Sequence, residues 1–254
     1  MDLGIKGLNV LVTGGTKGIG RRAADIFAGE GANVSICARN ADEITQTVAG
    51  LKKVGVKAFG QAINVGDKAA LEGWVAASAK ALGGIDIVVA NVSALAAAED
   101  TEESWQSQFD IDMMHTVRTV NASLPHLEKS KWPSIVIVSS VSGREVDFTS
   151  PAYGAIKAAL IHYAHGLAHK LAPKLIRVNS VSPGNVYFKD GIWNYIEINM
   201  PDLFKQALTL NPTGRMATAE EIGRGIVFLA SPASSFTMGT NLIIDGAMTK
   251  GVQL

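Results

Sequence analysis

The sequence predicts a doubly wound α/β fold, in which about seven parallel strands form one sheet with helices on both faces. The chain has 254 residues, enough for one large α/β domain with a sizeable core. Short runs rich in Val and Ile alternate with helical patterns, as in βαβ units with right-handed crossovers. Several of these runs are apolar on both faces, as strands of a parallel sheet are when helices cover both sides.

Each predicted strand is one of these apolar runs, and each predicted helix is the amphipathic stretch that follows it. The predicted strands, in chain order, are Leu8–Thr13, Asn33–Ala38, Val56–Ile63, Ile85–Ala90, Ser134–Ser139, Leu175–Val181 and Asn241–Asp245. The predicted helices are Ile19–Gly29, Ala41–Val54, Lys68–Ala81, Thr101–Glu128, Ala152–Leu171 and Ala219–Ala230. The long segment 186–212 interrupts the alternation, and inserts of this length are usually functional or disordered. We therefore predict one domain, 1–254, that contains this insert.

Charge and cysteine content narrow the classes of function. Lys plus Arg and Asp plus Glu both number 23, so the formal net charge is zero, which argues against a nucleic-acid binder. The single cysteine, Cys37, allows no intramolecular disulfide and fits a reducing compartment. The start of the chain lacks the pattern of a signal peptide, and no apolar run of about 18 residues would span a membrane. A cytoplasmic location is expected.

A glycine-rich turn connects the first strand to the first helix, with the sequence Thr13-Gly14-Gly15-Thr16-Lys17-Gly18-Ile19-Gly20. Glycines let backbone N–H groups approach a pyrophosphate, and a helix N-terminus favours an anion. In this context the turn predicts a dinucleotide site, although a glycine cluster alone would fit a flexible turn. The residues of the turn that we assign to the cofactor are Gly14, Thr16, Lys17, Gly18, Ile19 and Gly20.

The end of the second strand suggests which dinucleotide binds. An acidic residue there would hold the ribose 2′-hydroxyl of NAD and repel a 2′-phosphate. This chain has Ala38 and Arg39 instead, and Lys17 adds a second cation. The pattern favours NADP(H), with NAD(H) possible. The alternative is that both cations are solvated surface charges.

A second cluster of residues carries the chemistry of a proton transfer. Ser140 closes the fifth strand, Tyr153 follows thirteen residues later, and Lys157 lies four residues beyond it, on the same helical face. A neighbouring ammonium favours the phenolate form of a tyrosine, so Tyr153 can act as general acid or base. Ser140 lies at the carboxyl edge of the sheet, where open α/β sheets bind ligands. A Tyr-x-x-x-Lys pair alone would fit an ordinary helix surface.

Taken together, these motifs resemble those of the short-chain dehydrogenase/reductase family, along nearly the whole chain. The matching residues are Thr13-Gly14-x-x-x-Gly18-x-Gly20, Ser140, Tyr153 with Lys157, Asn179-Ser180-Val181-Ser182-Pro183-Gly184, and Gly239 with Asp245-Gly246. The resemblance implies a Rossmann-like domain, a homotetramer or homodimer, and hydride transfer between NAD(P) and a carbonyl/alcohol pair. It also implies cofactor contacts by Pro183, Gly184 and Val186 at the nicotinamide end, by Asn64 and Val65 at the adenine, and by Asn91 after the fourth strand.

Four positions depart from the family pattern. Ser93 replaces a glycine beside the cofactor, Asn64 replaces the usual Asp near the adenine, and Tyr187-Phe188 stand where a threonine would hold the carboxamide. The fourth departure is Asp112, seven residues after Trp105, where the family has a catalytic Asn whose backbone carbonyl helps to hold a water near the active-site lysine. The Asp112 carboxylate would either anchor the proton relay at Lys157 or point into a polar pocket with little effect.

The segment 186–212 is rich in apolar residues and corresponds to the substrate loop of the family. It predicts a lid with an apolar inner face, and hence an apolar or aromatic alcohol or ketone as the small-molecule substrate. The residues assigned to the substrate are Ser140, Ser142, Tyr153 and Trp193. The alternative is that the apolar side chains pack on the core or on another subunit.

Three histidines on one predicted helix, His162, His165 and His169, suggest a metal site at first sight. Their positions span about 60° of helical arc and lie about 80–140° from the Tyr153/Lys157 face. A subunit interface or a solvated face is therefore favoured, and we assign no metal.

Two alternative functions remain open. One is a 3-oxoacyl-[acyl-carrier-protein] reductase, which would need a basic surface for the acidic carrier, and the sequence shows no clear one. The other is a non-catalytic dinucleotide sensor with the same fold. Ser140, Tyr153 and Lys157 argue against a sensor, whereas Ser93 and Asp112 keep it open.

Overall fold

The structure is a computed structural model that describes residues 2–94 and 99–252. Its main sheet has seven parallel strands, in the spatial order β3-β2-β1-β4-β5-β6-β9. These strands are β1 (Asn9–Thr13), β2 (Asn33–Ala38), β3 (Ala58–Ala62), β4 (Ile87–Ala90), β5 (Ser134–Val138), β6 (Arg177–Pro183) and β9 (Asn241–Ile244). A two-stranded parallel ribbon is formed by β7 (Val186–Tyr187) and β8 (Ala217–Thr218). The doubly wound sheet predicted from the sequence is confirmed.

Helices cover both faces of the sheet. The helices are α1 (Gly18–Gly29), α2 (Ala41–Lys53), α3 (Lys68–Leu82), α4 (Glu102–Gln108), α5 (His115–Leu127), α6 (Pro151–Leu171), α7 (Ile192–Asn199), α8 (Pro201–Leu210) and α9 (Ala219–Ala230). One apolar core contains Phe27 of α1 and Ile222 of α9, and the other contains Trp74 of α3 and Leu160 of α6. Most strand side chains are buried because both cores press on the sheet.

The strand order reverses between β1 and β4. In open α/β sheets such a reversal leaves a crevice at the carboxyl ends of the strands, because the crossovers on either side run in opposite directions. The glycine-rich turn follows β1 at this point, and Asn91 follows β4. The topology therefore places both predicted cofactor elements at one crevice.

The predicted helix 101–128 is interrupted. A π-helical turn, Phe109–Met114, separates α4 from α5 and includes the fully buried Asp112. A π-turn inserts one extra residue and rotates the side chains that follow, and such turns are frequent at functional sites. The amphipathic pattern alone could not show this interruption, because the same residues fit a continuous helix.

The segment 186–212 forms β7, α7 and α8. Trp193 and Ile196 of α7 are buried together with Ala207 of α8 and Met216, in a small cluster separate from the two main cores. Part of this segment thus packs on itself, whereas other apolar side chains, among them Tyr195, Ile198 and Leu210, are exposed.

The buried Arg177, at the start of β6, fastens the carboxyl end of α9 to the sheet. Its guanidinium donates to the carbonyls of Leu229, Ala230 and Ser231 at 2.6–3.0 Å, and to both oxygens of Ser234. Burial lowers the pKa of Arg177 to about 10.

Within the described ranges, no helix is long and apolar enough to cross a membrane.

Candidate active site

The glycine-rich turn is built so that the backbone of α1 is open to a ligand. Gly14 and Gly18 have positive φ, of 69° and 54°, which glycine adopts without strain. A Cβ on Gly20 would lie 2.4 Å from the carbonyl oxygen of Gly14, so no side chain fits there. Lys17 precedes α1 without a side-chain cap, which leaves the first N–H groups of the helix available to an anion.

Asn91 fastens this turn to the end of β4. Its side-chain amide donates to the carbonyl of Thr13 at 3.1 Å, and its backbone N–H donates to the Thr13 hydroxyl at 2.9 Å. A Cβ on Gly14 would lie 3.1 Å from the Asn91 amide nitrogen. Asn91 therefore lies against the glycine turn, beside the crevice.

The end of β5 is fastened to α6 at Lys157. The Ser139 hydroxyl donates to the carbonyl of Lys157 at 2.7 Å. A Cβ on Gly143 would lie 2.6 Å from the Lys157 carbonyl carbon, so only glycine lets this turn approach the helix backbone so closely. Ser140 lies between Ser139 and Gly143, the two residues that contact the backbone of α6. The fold thus brings Ser140 next to the helix that carries Tyr153 and Lys157.

Lys157 forms a buried ion pair with Asp112. The ammonium nitrogen lies 2.8 Å from the Asp112 carboxylate, and the two side chains are 2% and 0% exposed. The other carboxylate oxygen accepts from the N–H of Ala94 at 2.8 Å, and the Asp112 carbonyl accepts from the Thr116 hydroxyl. The carboxylate thus joins the π-turn, α6 and the segment after β4.

The charge state of Lys157 follows from these contacts. Burial lowers the pKa of Lys157, but the charges of Asp112 and Tyr153 outweigh burial and raise this pKa above its ordinary value of 10.5. The ammonium also lies 5.4 Å from the centroid of the Tyr153 ring. A permanently charged ammonium beside a phenol can stabilise a phenolate, which is what a tyrosine acting as acid or base requires.

His115 lies one helical turn after Asp112 and is fully buried. Burial lowers the pKa of His115 to about 4, so the ring is neutral near pH 7. Its Nδ1 faces the carbonyl of Ile111, an acceptor, so Nδ1 carries the proton. Nε2 therefore accepts from the Thr13 hydroxyl, at 3.2 Å. This ring connects the π-turn to the start of the glycine turn.

At the adenosine end, the two predicted cations differ in their surroundings. Arg39 is exposed beyond β2. Lys17 forms an ion pair with Glu43 at 2.9 Å, and each partner stabilises the charge of the other, so the pKa of Lys17 is raised and that of Glu43 lowered. Asn64 and Val65 follow β3, where Asn64 accepts from the N–H of Gly66 at 3.0 Å.

At the opposite end of the crevice, Pro183 and Gly184 lie where β6 meets β9. The Gly184 N–H donates to the carbonyl of Ile244 at 3.0 Å, and a Cβ on Gly184 would strike Asp245. Val186 is buried in β7. The Phe188 ring packs directly on Gly18, where a Cβ would lie 2.7 Å from the ring. Phe188 therefore links the insert 186–212 to the glycine turn.

The four residues assigned to the substrate are not gathered in one place by contacts. Ser140 and Ser142 are hydrogen-bonded to each other at 3.1 Å. Trp193 is buried instead, in edge-to-face contact with Phe148 at 5.5 Å between ring centroids. Ser93 is partly buried after β4. The three histidines of α6 are exposed, and the Nδ1 of His165 is bonded to the carbonyl of Gly239.

Sequence reasoning missed three residues around this site. They are His115, Glu43 and Asp147, whose carboxylate accepts from the Ser142 hydroxyl at 2.6 Å. The spacing of His115 from Asp112 could have indicated that they neighbour one another on a helix. For Glu43 and Asp147 the sequence carries no comparable signal, because Glu43 meets a residue distant in sequence and Asp147 meets Ser142 within an irregular loop.

The fold and this arrangement define an oxidoreductase that acts on alcohol and carbonyl groups, and comparisons with known proteins agree. A family model described as Enoyl-(Acyl carrier protein) reductase matches residues 14–249. Isoepoxydon dehydrogenase of Penicillium expansum is 42% identical over 260 residues, covering 100% of this chain and 99% of the relative.

Two further relatives are informative. The NADP-dependent mannitol dehydrogenase of Hypocrea jecorina is 32% identical, over 96% of this chain and 93% of the relative. The crystal structure of L-sorbose reductase from Gluconobacter frateurii, complexed with NADPH and L-sorbose, superposes with a TM-score of 0.91. It is 28% identical and covers 99% of this chain and 100% of that one. The chain belongs to the short-chain dehydrogenase/reductase family.

Proposed function

We propose that this protein is an NADP(H)-dependent oxidoreductase that interconverts a ketone and a secondary alcohol in a small hydroxylated molecule. The observation that carries the proposal is Lys157, a buried ammonium held between Asp112 and the Tyr153 ring at the carboxyl edge of the sheet. This edge also carries the glycine turn. A charged lysine and a tyrosine beside a dinucleotide crevice are the groups that such a reaction requires.

The residues present fit a dinucleotide. The glycine turn folds back so tightly that a Cβ on Gly14 or Gly20 would strike its own neighbours, and the start of α1 offers uncapped N–H groups to an anion. When bound, NADP(H) supplies or accepts the hydride. Gly18 and Ile19 would hold the diphosphate, and Asn91 would border it.

The adenosine and nicotinamide ends are assigned in the same way. Arg39, with Lys17, would hold the 2′-phosphate, because no acidic side chain stands at position 38 or 39 to repel it. Asn64 and Val65 would flank the adenine. Pro183, Gly184 and Val186 would border the nicotinamide end.

In the reduction direction, Tyr153 would donate a proton to the carbonyl oxygen of the substrate while Ser140 orients that oxygen. Lys157 would stabilise the resulting phenolate through its positive charge. Asp112 would help to keep Lys157 charged, because its carboxylate and Tyr153 together more than offset the effect of burial. In oxidation the same groups act in reverse, with Tyr153 accepting the proton.

A hydroxylated substrate is supported by two observations. Polar groups of Ser140, Ser142 and Asp147 line the segment after β5. The relatives named for mannitol and sorbose act on polyhydroxylated molecules. This favours a hydroxylated substrate over the apolar or aromatic ketone predicted from the sequence. The lid role of 186–212, the homo-oligomer and the cytoplasmic location stay predictions.

The test is turnover with a panel of defined compounds. NADPH oxidation is followed at 340 nm with L-sorbose, cyclohexanone, acetophenone and acetoacetyl-coenzyme A, and NADP reduction with isoepoxydon and mannitol. We expect turnover with the hydroxylated compounds and at most weak turnover with acetophenone. Preference for acetophenone would support the apolar pocket predicted from the sequence. Preference for acetoacetyl-coenzyme A, a thioester, would support the 3-oxoacyl-[acyl-carrier-protein] reductase. Absence of turnover throughout, with NADPH bound, would support the non-catalytic sensor.

A further inference from the structure

A chain of hydrogen bonds leads away from Ser140 through the loop between β5 and α6. The Ser140 hydroxyl donates to the Ser142 hydroxyl at 3.1 Å, and the Ser142 hydroxyl donates to the Asp147 carboxylate at 2.6 Å. The second Asp147 oxygen accepts from the backbone N–H of Thr149 at 2.9 Å and from its hydroxyl at 2.6 Å. Asp147 is therefore anchored independently of the serines.

The chemistry of the groups fixes the direction of this chain. A carboxylate only accepts hydrogen bonds, and a serine hydroxyl has a single proton to donate. Because Ser142 gives its proton to Asp147, Ser142 can only accept from Ser140. The Ser142 backbone N–H also donates to Ser140, at 3.2 Å. Ser140 is thus left with one free lone pair and no free proton.

We propose that Asp147, acting through Ser142, is a positioning residue that holds Ser140 as a hydrogen-bond acceptor and so favours the alcohol over the carbonyl form of the substrate. The proposal rests on the proposed function. When Tyr153 is a protonated phenol that donates to the substrate oxygen, an alcohol donates its own O–H to the free lone pair of Ser140. A carbonyl oxygen can only accept, so Ser140 must first withdraw its proton from Ser142.

The size of this preference follows from the hydrogen bond that is given up. One neutral hydrogen bond within a protein changes an equilibrium by a factor of about five. The preference cannot alter the equilibrium constant of the reaction. The preference therefore appears as a difference between the affinities for the alcohol and for the carbonyl. A compensating change in kcat leaves the ratio of kcat/KM for oxidation to kcat/KM for reduction unchanged.

The test compares variants of the full-length enzyme, using the fastest carbonyl/alcohol pair from the panel above. Ser142→Ala frees the Ser140 proton, so the dissociation constant of the carbonyl should fall about five-fold relative to that of the alcohol. Dead-end complexes, carbonyl with NADP and alcohol with NADPH, give both constants without turnover. Asp147→Asn should change the ratio in the same direction, because an amide can also donate to Ser142.

Thr149→Val is the matched control. It removes one hydrogen bond to Asp147 and disturbs the same loop, but it leaves Ser142 bound to the other carboxylate oxygen. We expect the ratio of affinities to be unchanged in this variant. If Ser142→Ala shifts the ratio no more than Thr149→Val does, the loop serves only structure and the proposal is wrong. Wild-type protein that turns over no pair would instead overturn the proposed function.

Discussion

Removal of the Asp112 carboxylate should destabilise the protein strongly, because it leaves the Lys157 ammonium buried without a counter-charge. Lys157 is 2% exposed and Asp112 fully buried, with 2.8 Å between the charged atoms. Breaking a buried pair of this kind by removing one partner costs about 3–5 kcal/mol. Since domains of this kind are stable by about 5–15 kcal/mol, Asp112→Ala should lose a large share of the free energy of unfolding.

A double-mutant cycle separates the ion pair from other effects of the substitution. Lys157→Met alone leaves the Asp112 carboxylate buried, with the Ala94 N–H as its hydrogen-bond donor among the described residues. The double variant Asp112→Ala/Lys157→Met contains neither charge. We therefore expect it to be more stable than the sum of the single changes predicts, by about 2 kcal/mol or more.

The assay is urea unfolding followed by tryptophan fluorescence, since Trp74 is fully buried in the core. The pKa of Lys157 is raised in the folded state, so the ion pair contributes fully below about pH 10.5 and loses its contribution as pH rises through the folded pKa. The stability of the wild-type protein that comes from this pair should therefore fall only above that range. Additive effects of the two single changes, within about 0.5 kcal/mol, would refute the coupling.

Three further predictions follow from neighbouring residues. Burial lowers the pKa of His115 to about 4, so the unfolded chain binds a proton more readily, and stability should fall by about 3 kcal/mol between pH 6.5 and 4. His115→Gln should flatten that part of a urea-denaturation series, and an unchanged slope would contradict the assignment. Gly143→Ala should lower kcat at least ten-fold, because the added Cβ would strike the backbone of α6. The control is Gly166→Ala, at a position of α6 with open space around it, and this change should raise stability by about 1 kcal/mol. Equal kcat in both variants would show that close packing at Gly143 does not matter for turnover. Ala38→Asp with Arg39→Leu should shift preference in steady-state kinetics from NADP toward NAD, because the carboxylate repels the 2′-phosphate; unchanged cofactor ratios would remove the assignment.

Much of this fold was predictable because the signals are local. Apolar runs identified all seven strands of the main sheet, and the glycine spacing identified the turn before α1. The helical period of 3.6 residues was enough to predict that Tyr153 and Lys157 share one face of a helix. Ser140 and the glycine turn each follow the carboxyl end of a predicted parallel strand, so both were expected at the same edge of the sheet.

The contacts that tune the site were not predictable, because they depend on irregular turns and on how the elements pack against one another. The ion pair between Asp112 and Lys157 depends on the π-turn at 109–114, which inserts one residue into an otherwise helical pattern. The sequence left open whether Asp112 would meet Lys157 or point elsewhere. Similarly, the packing of Trp193 within the insert depends on how α7 folds back on α8, which a count of apolar residues does not determine.

The central claim is that the Tyr153 hydroxyl transfers the proton, and Tyr153→Phe tests it most directly because this change removes a single oxygen. Two quantities are measured: turnover of the best carbonyl in the panel, and the dissociation constant of NADPH from its fluorescence on binding. The account predicts a fall in kcat of about 10²–10⁴-fold with NADPH affinity changed less than three-fold. A variant that keeps wild-type turnover would contradict it.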